Sequence, residues 1–290
     1  MRARLYLIAL CLGWGVTWPT MRIALSDIPP FSMRVGTLVC GCLMLVMLAR
    51  LQGRSLAIAD RRAWRHVLVA GLLNIVGFSV CTPFAQLSAA TSRVAIVVYT
   101  MPIWAALLAR PVLGERITPM RALALALCAL GMAVLIWPLL SLGTPVGILF
   151  ALGAAMSWAA GTVYVKWSGL AGDPLAFTVW QLIVGVTVVS ICVPLFEGSL
   201  HIFDAHGTAL AAMIFSGIVG SGICYVLWFD VVRRVPAMVA SLAVLSVPAV
   251  GVIASAALLG ERPTVADIAG FAMIFAASAC VLLGPQSRVR

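Results

Sequence analysis

Charged side chains are scarce in this sequence, at 10% of its 290 residues, where soluble domains average about 25%. The carboxylates fall at the ends of apolar runs or in the connections between them: Asp27, Asp60, Glu115, Asp173, Glu197, Asp204, Asp230, Glu261 and Asp267. No Asp, Glu or His lies deep in an apolar run, where it could activate a serine or cysteine, and neither HExxH nor GxxxxGK[ST] occurs. The sequence therefore predicts neither an enzyme nor a cofactor site.

Cysteine is present without a recognisable pattern. All eight cysteines lie in apolar runs, and no CxxC pair occurs. Cys40 and Cys42 are two residues apart, so they face different sides of a helix. We interpret the cysteines as small buried apolar residues, and we predict neither a structural disulfide nor a bound metal.

Apolar residues make up 63% of the chain, too many to hide in the core of one soluble domain. A membrane-spanning helix needs about 20 consecutive apolar residues. Ten runs approach that length: residues 5–25, 31–50, 66–86, 91–110, 120–138, 145–167, 174–196, 208–230, 237–258 and 264–284. They are continuous rather than alternating, which excludes barrel strands. We predict an all-α polytopic membrane protein with ten transmembrane helices.

The net charge of +10 follows the membrane topology. With both termini in the cytoplasm, all but four of the 19 Lys and Arg residues fall on the cytoplasmic side. The exceptions are Arg22, Arg34, Arg93 and Arg262. Because cytoplasmic connections are enriched in basic residues, this distribution predicts the orientation and argues against a nucleic-acid partner.

One short motif occurs twice. Residues 112–119 read VLGERITP, and residues 258–265 read LLGERPTV, 146 positions later. Pro102 and Pro248 have the same separation. The chain therefore reads as two related five-helix units.

We place the boundary between these units after residue 141, giving repeats over residues 1–141 and 142–290. Because five is an odd number, the second repeat must enter the membrane in the opposite orientation. Inverted repeats of this kind are typical of carriers that work by alternating access, with the site near the midplane between the halves.

The repeated motif also has a local explanation. Gly114 and Gly260 can adopt the left-handed conformation that ends a helix. Thr118 suits the N-cap of the following helix. We interpret the motif as a helix-ending turn at the membrane surface, kept there by its Glu–Arg pair, and a gating salt bridge is the alternative.

Several of these features together resemble the EamA family of the drug/metabolite transporter superfamily. They are the Gly13–Trp14 pair in the first span, Arg34 in the second, the Trp180–Gln181 pair in the seventh and the twin LGE motifs. The resemblance implies a ten-helix carrier in the bacterial inner membrane, with a cavity lined mainly by the third, fourth, eighth and ninth helices. It also implies export of amino acids or other metabolites, because exporters of aromatic amino acids belong to this family.

Candidate cavity residues combine aromatic rings, small polar groups and prolines. Asn74, Phe78 and Thr82 are spaced by four and so share one helix face. An amide in hydrocarbon needs a partner, which is either the substrate or another helix for Asn74. The predicted substrate-binding residues are Trp14, Asn74, Phe78, Thr82, Tyr99, Pro102, Trp158, Gln181, Tyr225, Ser246 and Pro248.

Two pairs within this set have competing structural explanations. Pro102 and Pro248 predict matched broken helices at the site, although either alone could serve as a packing kink. Trp14 and Trp158 lie near the middle of their spans, where they could stack on an aromatic ligand or a cation, or simply pack in the bundle.

The absence of a carboxylate at mid-depth bears on energy coupling. Proton-driven carriers commonly relay protons through such a group, so its absence predicts facilitated diffusion or coupling through the charge of the substrate. We expect a secondary transporter that exports a small metabolite, with the lipid bilayer and that molecule as partners. A broad drug or cation exporter and a metabolite importer are the alternatives, and a non-transporting scaffold is the least supported. The oligomeric state stays open.

Overall fold

The computed structural model describes residues 2–58, 60–88, 91–115, 117–140, 145–169, 172–237, 239–240, 244, 247–260 and 264–283. Within these residues the chain is helical and contains no strand. The helices are α1 Arg2–Ala24, α2 Pro30–Leu51, α3 Arg61–Ser88, α4 Thr91–Val98, α5 Met101–Leu113, α6 Pro119–Leu140, α7 Pro145–Ser168, α8 Pro174–Phe196, α9 Gly207–Arg234, α10 Val247–Leu259 and α11 Val265–Leu283.

Six of these helices are long and apolar enough to cross a membrane: α1, α2, α3, α7, α8 and α9. Shorter apolar helices occur in α5, α6, α10 and α11. Large apolar side chains point outward from the bundle, and Leu43, Met47 and Leu195 are each more than half exposed. Such a surface is stable against lipid and costly in water. The chain is therefore an integral membrane protein.

Local sequence sets where several helices begin and end. Asp60 caps α3 by accepting a hydrogen bond from the backbone N–H of Arg62 at 2.9 Å. Asp173 caps α8 in the same way through the backbone N–H of Leu175. Gly114 has a φ of 65° and Gly260 a φ of 69°, so the left-handed helix ends predicted from the twin motifs are confirmed.

Two helices contain a π-helical segment at positions related by the repeat spacing. In α3 the segment is Gly71–Gly77, and in α9 it is Ser216–Ile223. A π-helix bonds each N–H to the carbonyl five residues back, which widens the turn and shifts the register of the side chains that follow.

The helices pack in related pairs. The π segment of α9 packs on α2, and the π segment of α3 packs on α7 and α8. Helix α1 packs on α10, α5 packs on α7, and α6 packs on α11. At the α2–α9 contact a Cβ on Gly41 would lie 2.8 Å from the carbonyl oxygen of Gly217, so only glycine allows this approach.

At the two breaks that we predicted, each proline lies in the first turn of a helix rather than in its interior. The fourth predicted span is divided into α4 and α5, and Pro102 lies in the first turn of α5. Pro248 likewise lies in the first turn of α10, which begins at Val247. A proline is tolerated in a first turn because the N–H that it lacks would have no helical partner there.

Candidate functional site

A narrow cavity that is partly open lies among α1, α2, α3, α7, α9 and the α4–α5 connection. Its wall combines aromatic rings with hydroxyl groups and one basic side chain. The lining residues are Trp14, Thr17, Trp18, Met21, Arg34, Thr37, Phe78, Tyr99, Met101, Trp158, Ser216, Gly220, Ser221 and Tyr225.

Trp158 lies at the centre of the aromatic part of the wall. Its ring centroid is 5.6 Å from that of Trp14, 5.1 Å from that of Phe78 and 5.6 Å from that of Tyr225. Trp228 packs behind the cluster, 5.9 Å from Trp158. Tilted and edge-on contacts at these separations are favourable between rings. The cluster therefore presents a rigid apolar surface to a bound molecule.

Indole N–H groups fix part of this wall. Trp14 donates a hydrogen bond from Nε1 to the carbonyl oxygen of Gly220, at 3.2 Å, in the π segment of α9. Trp18 donates from Nε1 to the hydroxyl oxygen of Tyr99, also at 3.2 Å. The Nε1 of Trp158 is buried and has no hydrogen-bond partner in the described residues.

Arg34 contributes the positive charge of the cavity. Its side chain is 3% exposed, and its guanidinium donates to the hydroxyl oxygen of Thr82. The guanidinium carbon lies 5.8 Å from the centroid of the Phe78 ring. A cation above an aromatic face is favourable, but these contacts supply no negative charge.

The structure brings together five of the residues predicted from sequence: Trp14, Phe78, Tyr99, Trp158 and Tyr225 all line the cavity.

Thr82 lies behind the wall as the partner of Arg34, and Gln181 is buried in α8. The Gln181 side chain donates to the carbonyl oxygen of Phe177 in its own helix. Neither Pro102 nor Pro248 is a lining residue. Ser246 lies outside the described residues.

Asn74 was predicted to bind substrate, but it is not a lining residue of the cavity. It is fully buried and packs on α7, where a Cβ on Gly161 would lie 2.5 Å from the Asn74 amide. Phe78, one turn further along α3, contacts Trp158 of α7, so both residues face α7 and only Phe78 reaches the cavity. Its amide oxygen and nitrogen have no partner in the described part of the chain.

Sequence reasoning missed several lining residues, chiefly Arg34, Trp18 and Ser221. Trp18 follows Trp14 by four residues and so shares its helix face, which is a signal that was available. Arg34 was counted on the non-cytoplasmic side and named as a feature of the family resemblance, but it was not predicted to bind substrate. Arg34 is far along the second span from the other basic residue of that span. This separation was the sign that it has a role of its own.

Connections from the two repeats meet at one end of the bundle. Asp27, between α1 and α2, accepts hydrogen bonds from the backbone N–H of His206, at 2.5 Å, and faces its Nδ1 at 2.8 Å. Glu197 accepts from the backbone N–H groups of Phe31 and Ser32 at 2.6 and 2.9 Å. A carboxylate at the N-terminus of α2 is favoured by the helix dipole.

The same kind of contact occurs between two other connections. Arg54, between α2 and α3, pairs with Asp173, its Nε lying 2.7 Å from a carboxylate oxygen. Glu115 accepts a hydrogen bond from the backbone N–H of Ala237 at 2.7 Å. The glutamate of the first twin motif therefore reaches across to the second half of the chain.

The Asp27–His206 contact should depend on pH, and Asp27→Asn tests it. Backbone and then side-chain hydrogen bonds from His206 hold the pKa of Asp27 below its ordinary value of 3.8. A lowered carboxyl pKa stabilises the fold above the ordinary value, and this contribution is lost as the pH falls through the lowered one. We expect the variant to melt at a lower temperature than the wild type near pH 7, and we expect this difference to be smaller near pH 3, measured by thermal unfolding in detergent.

Asp204→Asn is the matched control for this measurement. Asp204 is exposed in the connection that also contains His206. It pairs with His201 and takes no part in the contact between Asp27 and His206. In Asp204→Asn, the change in melting temperature between the two pH values should be the same as in the wild type. An Asp27→Asn variant that melted equally far below the wild type at both pH values would contradict the assignment.

Comparisons with known proteins agree with this architecture. The EamA-like transporter family matches residues 1–137 and again residues 145–283. The uncharacterized transporter YoaV of Bacillus subtilis is 25% identical over 280 residues, which cover 94% of each chain. The uncharacterized inner membrane transporter YedA of Escherichia coli is 27% identical over 280 residues, covering 96% of this chain and 90% of that protein.

Two further similarities are more limited, the first in the length that it covers and the second in sequence identity. A probable amino-acid metabolite efflux pump of Salmonella typhimurium is 27% identical over 176 residues, covering 57% of this chain and 58% of that protein. A solved crystal structure superimposes with a TM-score of 0.74 at 21% identity, covering 95% of this chain and 98% of the other, and so shares the fold. With the family match extending over both halves of the sequence, the chain belongs to the EamA-like transporter family.

Proposed function

We propose that this protein is a secondary transporter that moves a small metabolite, with amino acids as the leading class, out of the cell by alternating access. The observation that carries the proposal is the cavity, since both halves of the chain build its wall. Trp14, Arg34 and Phe78 come from the first half, and Trp158 and Tyr225 come from the second. A site between two halves that rock against each other is the arrangement expected of such a carrier.

The proposal includes ten membrane-spanning helices in two inverted repeats, residues 1–141 and 142–290. It is supported by helix contacts that correspond when the chain is shifted by one repeat. The contact of α1 with α10 corresponds to that of α7 with α5, and the contact of α2 with the π segment of α9 corresponds to that of α8 with the π segment of α3.

Orientation and membrane follow from the same proposal. The distribution of Lys and Arg supports a cytoplasmic location for both termini. The inner membrane of a bacterium is supported by the bacterial relatives YoaV and YedA, the second of which is named as an inner membrane transporter. Export of amino acids is supported by the similarity to a probable amino-acid metabolite efflux pump.

Counterflow in proteoliposomes tests the transport function. Vesicles loaded with an unlabelled compound should accumulate the labelled compound only when the protein is present, for at least one of three panels: amino acids, nucleosides and cationic dyes. We expect amino acids with apolar side chains to exchange. Exchange of dyes alone would favour the drug exporter, and no exchange in any panel would indicate a protein that does not transport these compounds.

A further inference from the structure

Arg34 is a charged side chain in a place where charge is costly. It lies in the second turn of α2, is 3% exposed and borders the cavity. An ionised group inside a membrane bundle ordinarily pairs with an opposite charge, or faces water or a functional pathway. Among the described residues, no carboxylate lies within 4.0 Å of it.

Three acidic groups at the two ends of the bundle are engaged elsewhere. Asp27 contacts His206, Asp173 pairs with Arg54, and Glu197 caps α2. All of these lie in connections or at helix ends. The positive charge of Arg34 is therefore not balanced by the acids at either end of the bundle.

The hydrogen-bonding capacity of Arg34 is also largely unused. A guanidinium has five N–H donors in a planar fork. One nitrogen donates to Thr82, whose own hydroxyl donates onward to the carbonyl oxygen of Phe78. The buried Nε has no hydrogen-bond partner among the residues that the structure describes. The fork is held in place by the Thr82 contact and still has donors to offer a ligand.

The surroundings of Arg34 define the rest of that ligand. The guanidinium carbon is 5.8 Å from the Phe78 ring, and that ring is 5.1 Å from Trp158. A molecule that contacts both must carry its acceptor group within a few bonds of an apolar and preferably flat body. A cationic ligand would meet the positive charge of Arg34 without compensation.

We propose that Arg34 binds the carboxylate of the transported molecule, an acid or amino acid with an apolar, ring-sized body. The inference rests on the proposed transport function and specifies its substrate class. A single carboxylate matches the single positive charge, whereas a phosphate of nearly two charges would leave negative charge unpaired in an apolar wall. Arginine suits this role because its planar fork binds a carboxylate through two parallel hydrogen bonds.

Matched acids and amides test the proposal by direct binding. The full-length protein in nanodiscs is titrated with 3-phenylpropionate and 3-phenylpropionamide, with cyclohexanepropionate and its amide, and with L-phenylalanine. Tryptophan fluorescence reports occupancy, since Trp14, Trp18 and Trp158 line the cavity. A charge-assisted hydrogen bond contributes about 1.5–3 kcal/mol, so each acid should bind at least about tenfold more tightly than its amide.

Variants then assign the discrimination to Arg34. In Arg34→Gln we expect the affinity for each acid to fall at least about tenfold while the affinity for the amides is retained, which also shows that the variant folds. Arg34→Lys keeps the charge and should retain part of the preference. Arg22→Gln removes an exposed arginine that bonds the carbonyl oxygen of Gln86 outside the cavity, and it should bind as the wild type does.

The outcomes separate this inference from the transport function. Equal affinity for acids and amides in the wild type, or no binding by any acid, would overturn the inference, whether or not Arg34→Gln folds. If only neutral or cationic compounds exchanged in the counterflow experiment, the protein would be a transporter that lacks the acid site. A clear acid preference that disappears in Arg34→Gln supports the site even where counterflow fails, and then the transport proposal is the one that falls.

Discussion

Trp158→Ala is expected to reduce counterflow of the transported compound at least about tenfold. The indole contacts Trp14, Phe78 and Tyr225 within 6 Å and forms the centre of the cavity wall. Each favourable ring contact contributes about 0.5–1.5 kcal/mol beyond its buried area. Losing the ring removes direct contact with the ligand and also loosens its three neighbours, so the concentration of substrate giving half-maximal exchange should rise.

The same substitution costs stability, which the experiment must separate from function. Truncation of a buried tryptophan typically costs about 3–5 kcal/mol. Trp158→Phe keeps a ring at the centre of the cluster and should retain most of the exchange. Trp137→Ala removes a tryptophan that is 78% exposed and is not a lining residue of the cavity, and this variant should exchange normally. A folded Trp158→Ala protein with wild-type exchange would remove Trp158 from the site.

Local signals in the sequence predicted much of the helical framework. The left-handed glycines at 114 and 260 were predicted because helix ends depend on the conformation of one or two residues. The Thr118 hydroxyl accepts a hydrogen bond from the backbone N–H of Arg121 at 3.4 Å, at the start of α6. Such features require no knowledge of what a helix packs against, so a single sequence is sufficient.

The aromatic part of the cavity was also accessible from the sequence. Trp14, Phe78, Trp158 and Tyr225 lie well inside their spans, where a large ring must pack on other helices. What the sequence could not supply was which side chains of α3 reach the cavity. Asn74 packs on Gly161 of α7 away from the lining, whereas Phe78 contacts the same helix and lines the cavity.

Arg34 illustrates a second limit. Its sequence position near the start of the second span suggests access to water. Its burial arises from α3, which brings Thr82 and Phe78 against it from nearly fifty residues away. Tertiary contacts of this kind decide whether a charge is a surface feature or a binding group, and hydropathy does not contain them.

Cross-linking residue 54 to residue 173 is expected to abolish transport. Arg54 and Asp173 are in contact although they belong to different halves of the chain. In alternating access each end of the cavity opens once per cycle, so a covalent bond between the halves at either end stops the cycle. Cysteines at 54 and 173, joined by a short thiol cross-linker, should block counterflow, and a reducing agent should restore it.

Cysteines at residues 27 and 206 apply the same test to the Asp27–His206 contact. Cross-linking them should block counterflow as fully as cross-linking residues 54 and 173 does. Cysteines at 230 and 234 provide the control, because they lie one turn apart in α9 and their cross-link joins no two halves. The eight native cysteines form no disulfide and none is exposed, so the introduced ones should react first. Because a rocking carrier cannot complete a cycle with one end locked, undiminished counterflow through either cross-linked pair would exclude that mechanism.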